Sequence, residues 1–241
     1  MKKLKAYAVI VSVVAILAIA GFLAVFFHGN YHNKALVKLG IREGEYWTDT
    51  RIAVSAWDNF LRKADYDADI VFFGDSITKN SDFRDYFPDK KIANLGFGGE
   101  NLSLLSERIS MVSAVSPEKV FVMSGINCLI EKESPEQCLE QYAAVLDKLA
   151  IAVPDARIYV QSILPIAAYY ENRVCPNVQI AEINLQIEQL ALDRGMQYVD
   201  LYSLYVKDGQ LNPELSADGV HPDYPDGYDV WAKEIEKYIY E

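Results

Sequence analysis

From residue 70 onward the chain alternates short apolar runs with longer segments whose apolar residues recur every three or four positions. The runs occupy residues 70–73, 92–93, 120–123, 158–160 and 198–199. Such runs are typical of strands covered on both faces, and the periods between them are typical of helices with one buried stripe. Their alternation predicts a parallel sheet between two helical layers, joined by right-handed crossovers.

Three helices can be placed between and after these strands. A stripe of apolar residues predicts a single helix over residues 102–112, a second runs over 135–153, and the last spans 228–239. The second has the clearest start, with Ser134 as its N-cap and Gln137 three residues later. We therefore expect an α/β protein of three layers around a five-stranded parallel sheet.

The charge distribution excludes several kinds of partner and of chain. Four of the 23 basic residues lie in residues 1–34, which hold no acid, so 19 basic residues face 34 acidic ones in residues 35–241, a balance of −15. A chain this acidic repels polyanions, so nucleic acid is not an expected partner. Because 51% of the 241 residues are hydrophobic, one sizeable folded domain is expected rather than disorder.

The N-terminal residues have the pattern of a membrane anchor. Three lysines within residues 1–5 precede an uncharged, mostly apolar run over residues 6–27. As a helix this run reaches about 33 Å, enough to cross a hydrocarbon core of about 30 Å. Because the lysines precede it, residues 1–5 are expected in the cytoplasm. The sequence thus predicts a single-pass cell-membrane protein with an extracytoplasmic domain.

A cleaved secretory signal is the alternative interpretation of the same segment. Residues 18–20, Ala-Ile-Ala, match a small-residue cleavage site, and cleavage there would give a secreted protein. The apolar run continues well past that site, which favours the retained anchor. Residues 28–65 are then interpreted as a juxtamembrane linker with a helical lead-in, and residues 66–241 as the folded domain.

Polar or glycine-rich segments follow three of the predicted strands. Segment 74–78 contains Ser76, segment 94–99 is rich in glycine, and Asn127 follows the third strand. In open parallel sheets, ligands bind beyond the carboxyl ends of the strands, where these segments meet. A hydroxyl, a stretch of backbone N–H groups and a side-chain amide are the components of acyl transfer: a nucleophile and donors to the oxyanion.

A serine nucleophile needs a base, and His221 is the main candidate because it is the only histidine after residue 35. Asp218 lies three residues earlier, close enough in a tight turn to accept the imidazole Nδ1 proton and leave Nε2 for Ser76. Asp223 is a weaker candidate for that role. Asp75 is expected to organise the turn, because the chemistry does not require a second carboxylate.

These residues resemble the four sequence blocks of the SGNH hydrolases, also called GDSL lipases and esterases. The blocks here are G-D-S-I-T at 74–78, N-x-G-x-x-G at 94–99, G-x-N at 125–127 and D-x-x-H-P at 218–222. They occur in the family's order, and the resemblance covers residues 66–241. It implies Ser76, His221 and Asp218 as catalytic residues, and Ser76, Gly99 and Asn127 as oxyanion donors.

The resemblance also implies a flavodoxin-like α/β/α fold and ester hydrolysis through an acyl-serine intermediate, without cofactor or metal. The segment G-F-G-G-E-N, together with D-G-V-H-P, is similar to platelet-activating-factor acetylhydrolase-like and carbohydrate acetylesterase-like members. One position departs from the family's pattern, because Cys128 stands where many members have Asp. The amide of Asn127 is the donor, so this departure changes the local hydrogen bonding without removing the chemistry.

The three cysteines, at positions 128, 138 and 175, do not define a disulfide. An odd number leaves at least one thiol unpaired, and three single pairings are possible. Buried thiols packed as small hydrophobic groups are the default expectation. Cys128 is disfavoured as a nucleophile because no second histidine is available to serve it.

The expected substrate is a short-chain acyl ester, preferably an O-acetyl group on a carbohydrate or envelope polysaccharide. No lid-like hydrophobic insertion is evident, and Phe97, Tyr169, Tyr170 and Tyr224 could line an aromatic cleft, although packing explains each equally well. Three alternatives stay open: an O-acyltransferase using the same serine, a lysophospholipase-type lipid esterase, and a catalytically silent binding domain. The intact site residues count against the last. The sequence does not give the oligomeric state.

Overall fold

The structure, a computed structural model, describes residues 67–241. The predicted anchor at residues 6–27 and the linker at residues 28–65 lie outside the described residues. Within the described part of the chain, no helix combines the length and the apolar character needed to cross a membrane.

Five parallel strands form the central sheet, as the apolar runs predict, in the order β2-β1-β3-β4-β5. Strands β1 and β3 are buried along their whole length, because helices cover both faces of the sheet. Gly74 at the end of β1 pairs with Gly96 on one side and Met123 on the other, so three strands end at the same level. The strands are β1 Ile70–Gly74, β2 Ile92–Gly96, β3 Lys119–Met123, β4 Arg157–Gln161 and β5 Gln197–Val199.

In the described residues, helices separate and follow the strands. The four that carry most of the packing are α3, α6, α8 and α10, and several single-turn helices lie in the loops. The helices are α1 Ser76–Lys79, α2 Phe83–Tyr86, α3 Leu102–Glu107, α4 Ile109–Ser113, α5 Ile126–Ile130, α6 Pro135–Ala152, α7 Ala168–Glu171, α8 Asn177–Leu192, α9 Tyr202–Tyr205 and α10 Asp226–Tyr240.

Successive side chains of β1 show the two helical layers. Phe72 stacks on Phe83 of α2 at 4.2 Å between ring centroids, and Phe83 contacts Trp231 of α10 at 5.2 Å. Phe73 points to the other face, where its ring lies 4.9 Å from the guanidinium of Arg108. On that face α6 packs against α3, α4 and α8. The predicted three-layer α/β arrangement is present in the described residues.

The single helix predicted over residues 102–112 is wrong, since two short helices, α3 and α4, meet at Arg108. The Arg108 side chain is buried and donates hydrogen bonds to the carboxylate of Glu100 and to the backbone carbonyl oxygens of Leu95 and Gly74. A charged group inside the domain requires such partners, and directing it inward interrupts the helical period.

The start of α6 is as predicted from its capping residues. Ser134 Oγ accepts the N–H of Gln137 at 3.2 Å, and Gln137 Oε1 accepts the N–H of Ser134 at 3.0 Å. The sequence pattern does not predict the antiparallel hairpin of β6 Val206–Lys207 and β7 Gln210–Leu211, because two-residue strands carry no periodic signal.

Candidate active site

Ser76 lies at the carboxyl edge of the sheet, where β1 passes directly into α1. Asp75 caps this helix, because its Oδ1 accepts the N–H of Ile77 at 3.0 Å. Strand β2 approaches α1 so closely that a Cβ at Gly96 would lie 2.2 Å from the backbone nitrogen of Lys79. The turn carrying Ser76 is therefore held against the neighbouring strand as well as its own.

A continuous chain of hydrogen bonds joins Ser76, His221 and Asp218. Ser76 Oγ lies 2.8 Å from His221 Nε2, and His221 Nδ1 lies 2.7 Å from Asp218 Oδ2. A carboxylate only accepts, so Nδ1 carries the proton and Nε2 is left to accept the serine O–H. This arrangement can remove a proton from Ser76 as its oxygen attacks an electrophile.

The turn that carries the histidine is organised by Asp218 itself. Its Oδ1 accepts the backbone N–H groups of Val220 at 2.9 Å and His221 at 2.8 Å. Partial burial opposes ionisation, but the hydrogen bonds from His221 and Val220 outweigh it, so the pKa of Asp218 lies below its usual value. Asp218 thus stays ionised at neutral pH and holds the imidazole in one tautomer. Asp223, the weaker candidate, does not make this contact in the structure.

The loop after β4 supports the same turn. Tyr169 Oη donates to the carbonyl oxygen of Asp218 at 2.7 Å, and the N–H of Ala167 donates to the carbonyl oxygen of Gly219 at 2.9 Å. Gly219 has φ of +77°, and a Cβ there would lie 2.4 Å from Tyr169 Oη. Only glycine satisfies both the conformation and the space. Tyr169 therefore braces the histidine turn, while 61% of the residue remains exposed.

Asn127 contacts the backbone of Glu100, the residue that directly follows Gly99. Asn127 is the second residue of α5, and its Nδ2 donates to the carbonyl oxygen of Glu100 at 2.8 Å. An amide nitrogen carries two N–H groups, so one remains for a ligand. The hydrogen bond therefore places the loop of Gly99 beside the amide of Asn127.

Comparison with known proteins identifies the family once this geometry is seen. Residues 72–230 match the profile of the GDSL-like lipase/acylhydrolase family. The chain belongs to this family. It is a serine ester hydrolase of the GDSL type.

Individual proteins of three kinds are similar to this chain and share only 20 to 24% sequence identity with it. A Streptococcus pneumoniae structure named for platelet activating factor shares 23% identity, with a TM-score of 0.71 over 90% of this chain and 99% of that one. An acetyl-xylooligosaccharide esterase from Geobacillus shares 20% identity, with a TM-score of 0.57 over 72% and 94% of the two chains. N-acylneuraminate cytidylyltransferases of Streptococcus agalactiae are 24% identical over 164 residues, 68% of this chain. The match covers 37% of the length of those curated relatives.

In this GDSL family member, Asn94 joins two of the sequence blocks, a role that the sequence did not indicate. Its Nδ2 donates to the carbonyl oxygens of Thr78 at 2.9 Å and Ser81 at 2.7 Å, and its Oδ1 accepts the N–H of Gly96 at 2.9 Å. One side chain therefore fastens the glycine-rich loop to the end of α1. An asparagine in the middle of a largely buried strand was the available signal, because such a polar group needs partners.

A buried ion pair lies directly behind the glycine-rich loop of the hydrolase. Arg108 Nε lies 2.8 Å from Glu100 Oε1, and both side chains are 1% exposed. Arg108 also donates to carbonyl oxygens of β1 and β2, so it connects the loop to both strands. The sequence signal for this pair was Arg108, a charged residue within the predicted helix over residues 102–112, and the sequence interpretation missed it.

Asp75 is the other buried carboxylate near the nucleophile. It is 1% exposed, and within the described residues its Oδ2 has no hydrogen-bond partner. Burial raises the pKa of Asp75 to about 7, against the opposing effect of the hydrogen bond from Ile77. The residue organises the turn through Oδ1, as the sequence indicates, and carries a titratable proton at Oδ2.

Three of the aromatic residues predicted to contact substrate, Phe97, Tyr170 and Tyr224, pack against other side chains of the protein. The ring of Phe97 lies 4.3 Å from the guanidinium of Arg108, which gives it a packing role. Tyr224 is exposed and its ring packs against those of Tyr86 and Tyr228, at 6.1 Å and 5.9 Å. Tyr170 packs beside Tyr169 at 4.7 Å. Their contact with substrate stays a prediction.

Proposed function

We propose that this protein is an esterase that removes short acyl groups, O-acetyl groups by preference, from a carbohydrate or envelope polysaccharide. The observation that carries the proposal is the contact chain from Ser76 Oγ through His221 to Asp218, at 2.8 Å and 2.7 Å. It supplies a nucleophile and a correctly oriented base at the carboxyl edge of the sheet.

In the first half-reaction Ser76 Oγ attacks the ester carbonyl carbon while His221 Nε2 takes the serine proton. The carbonyl oxygen becomes an oxyanion, and it receives hydrogen bonds from the N–H groups of Ser76 and Gly99 and from the Asn127 amide. His221 then gives its proton to the departing alcohol, and the acyl group remains on Ser76. General base catalysis of this kind contributes a factor of about 10² to 10⁴.

In the second half-reaction water repeats the attack on the acyl-serine. His221 takes a proton from the water, the same donors hold the oxyanion, and the proton returns to Ser76 as the carboxylic acid leaves. Asp218 keeps its negative charge throughout and stabilises the imidazolium that forms in each half. Each donor lost from the oxyanion site costs about 10² to 10³ in turnover.

A carbohydrate ester is favoured by two of the similar proteins. One neighbour with the same fold is named as an acetyl-xylooligosaccharide esterase, so this fold can carry deacetylation of a sugar. The curated relatives are named for N-acylneuraminate, also a carbohydrate. The exposed Tyr169 beside the histidine turn offers an aromatic face of the kind on which sugar rings pack.

A panel of p-nitrophenyl esters of increasing acyl length tests the acyl preference. We expect acetate and butyrate to be turned over fastest, and Ser76→Ala to be nearly inactive and to resist fluorophosphonate labelling. A preference for acyl chains of eight or more carbons would contradict the short-acyl assignment and favour a lipid esterase. Near-wild-type turnover by folded Ser76→Ala would contradict the serine mechanism itself.

Acetate release from an O-acetylated oligosaccharide, with and without an added acceptor sugar, separates hydrolysis from transfer. Hydrolysis predicts the same acetate release in both cases. Acceptor-dependent transfer with negligible acetate release would show an O-acyltransferase instead. The site accommodates both, because the reactions differ only in which hydroxyl attacks the acyl-serine.

We also propose that residues 6–27 anchor the enzyme to the cell membrane with its catalytic domain outside. The proposal rests on the charge and apolar pattern of the sequence, with lysines preceding the apolar run and none within it. The full chain should sediment with membranes, resist extraction by carbonate, and be digested by protease added to intact cells. Recovery of a shortened form in the medium would instead show a cleaved signal.

A further inference from the structure

Three metal-ligating side chains meet behind the active site, in a place that the ester chemistry does not use. The Sγ atoms of Cys128 and Cys138 and a carboxylate oxygen of Glu133 all lie within 4.8 Å of one another. Cys128 is 0% exposed and Cys138 is 3% exposed, whereas Glu133 is partly exposed. Cys128 lies on α5, Cys138 on α6 and Glu133 between them, so the cluster is built by one helix–loop–helix segment.

We propose that Cys128, Glu133 and Cys138 form a structural binding site for a divalent transition metal, with Zn²⁺ as the preferred ion. Two thiolates and one carboxylate are a donor set that zinc accepts. With Zn–S bonds of about 2.3 Å and Zn–O bonds of about 2.1 Å, ligand atoms in a tetrahedral site lie about 3.5 to 3.8 Å apart. The largest separation allowed by the observed cluster, 4.8 Å, exceeds that spacing by about 1 Å.

The surroundings of the cluster match those of metal ligands elsewhere. Gln141 Nε2 donates to Glu133 Oε2 at 2.7 Å, and the backbone N–H of Leu102 donates to Cys128 Sγ at 3.5 Å. Partners of this kind orient ligands and are usual around bound metals. Gln141 Oε1 is buried and has no donor among the described residues. The nitrogen of the same amide contacts Glu133, so this unpartnered oxygen belongs to a group that lies beside the cluster.

Metal binding here must displace protons, which makes it sensitive to pH. The pKa of the Cys138 thiol is raised by its contact with Cys128, by burial and by the nearby charge of Glu133. Binding exchanges two thiol protons for one M²⁺ ion, M²⁺ + 2 RSH giving M(SR)₂ + 2 H⁺.

The site would stabilise the residues proposed to hold the oxyanion. Cys128 directly follows Asn127 in α5, and the N–H that Cys128 Sγ accepts comes from Leu102 at the start of α3. Asn127 in turn donates to Glu100, two residues before Leu102. A metal ion bound to Cys128 and Cys138 would fix α5 against α6, and with it the position of the Asn127 amide.

Metal analysis of the purified full chain tests the proposal without using ester turnover. The protein is equilibrated with Zn²⁺, passed through a desalting column and analysed by inductively coupled plasma mass spectrometry. We expect about one Zn²⁺ per chain, and with Co²⁺ we expect thiolate-to-cobalt charge-transfer absorption in the near ultraviolet. Cys138→Ser should abolish both signals. Cys175→Ser, which removes a buried thiol outside the three-residue cluster, is the matched control and should retain both.

Glu133→Gln keeps the proposal testable if Cys138→Ser fails to fold, because this position is partly exposed and the new amide oxygen still accepts from Gln141. It should weaken Zn²⁺ binding at least 10-fold while leaving the circular dichroism spectrum unchanged. Three results would overturn the site: wild-type protein free of metal after Zn²⁺ loading, equal binding by Cys138→Ser, or a Cys128–Cys138 disulfide found by non-reducing peptide mapping. Because metal content is measured directly, failure here is distinguishable from failure of the esterase proposal.

Discussion

Asp218, in the turn that carries His221, makes three different contacts that position the site. Asp218 orients the imidazole with one carboxylate oxygen, caps the turn with the other and accepts Tyr169 Oη with its backbone carbonyl oxygen. Its side chain is 56% exposed, so geometry rather than deep burial is its main contribution. An exposed carboxylate can still fix the imidazole tautomer, because its hydrogen bonds to the backbone of the turn hold it beside His221 Nδ1.

Replacing Asp218 by Asn should reduce turnover strongly while leaving the fold intact. The amide can donate to Nδ1 and so stabilise the wrong imidazole tautomer, which removes the acceptor for the Ser76 proton; comparable changes in serine hydrolases cost up to about 10⁴ in kcat. We expect a fall of about 10³ to 10⁴ in kcat for p-nitrophenyl acetate with little change in KM.

Asn127→Ala serves as the comparison for Asp218→Asn, because it removes one oxyanion donor and should cost about 10² to 10³ in kcat. Thermal denaturation should show both variants folded. If folded Asp218→Asn retained more activity than Asn127→Ala, Asp218 would not be the residue that orients His221.

Asp75 should make stability depend on pH between about 4 and 7. Its pKa is raised by burial to about 7 in the folded chain, so the folded protein keeps a proton that the unfolded chain loses near pH 4. Stability is therefore lost as pH rises through this window. Asp75→Asn lacks the effect, so its stability relative to wild type should increase from pH 5 to pH 8, by at most about 3 kcal/mol.

Urea unfolding at four pH values between 5 and 8 checks this behaviour. Asp218 stays ionised over the whole range, because its pKa lies below its usual value. The difference in free energy of unfolding between the two proteins is therefore assigned to Asp75. A pH-independent difference would show that Asp75 is not the titrating group.

At the scale of elements, the interruption between α3 and α4 shows how a buried charge overrides a helical pattern. The apolar stripe over residues 102–112 is continuous in sequence, yet Arg108 ends one helix and begins the next. Its guanidinium reaches the ends of β1 and β2 and pairs with Glu100. The short helices are the local consequence of a contact made across the layer.

Glu100→Gln should destabilise the protein by about 3 to 5 kcal/mol, because it leaves the buried Arg108 charge without its counter-ion. The free energy of unfolding in urea measures the loss. The matched control is Asp147→Asn, which breaks the exposed pair with Arg194 at 2.7 Å and should cost less than about 1 kcal/mol. Equal losses for the two variants would show that the buried pair has no special role.

At the scale of the whole molecule, the last helix, α10, contacts both the turn that carries Ser76 and the central sheet. Tyr228 of α10 donates from its Oη to the carbonyl oxygen of Ile77 at 2.8 Å, across 151 residues of sequence. Trp231 of the same helix donates from Nε1 to Gln161 Oε1 at the end of β4. These two contacts hold α10 against the turn that carries Ser76 and, at the same time, against the sheet.

Tyr228→Phe should cost about 1 to 3 kcal/mol of stability, because the buried carbonyl oxygen of Ile77 loses its donor. Tyr240→Phe removes an exposed hydroxyl that donates to Asp89 at 2.8 Å, and should change stability by less than about 0.5 kcal/mol. Chemical denaturation of both variants measures the difference. A loss as small as that of Tyr240→Phe would contradict the coupling of α10 to the nucleophile turn.

Much of the fold and of the candidate site could be predicted because the signals are local. The five strands are short apolar runs, α6 begins at a capping box, and the blocks containing Ser76, Asn127 and His221 are each a few residues long. In the structure those three residues lie at the carboxyl edge of the sheet, and His221 contacts Ser76.

The supporting contacts that sequence reasoning missed join residues far apart in the chain. Arg108, Asn94 and Tyr169 support the site through contacts with carbonyl oxygens that come close only after the layers pack. No periodicity or spacing encodes such a contact, because either partner alone has an ordinary local environment.

The amino-acid sequence by itself indicated the candidate residues for the ester chemistry and the layered arrangement in which they would lie. Periodic burial and short capping motifs depend on neighbours within a few positions, so they can be interpreted without coordinates. Only the tertiary structure decided that two of the three cysteines meet a glutamate beside α5, and that a buried arginine interrupts the predicted helix. Such features arise from segments that packing brings together, and their energies depend on distance in space rather than along the chain.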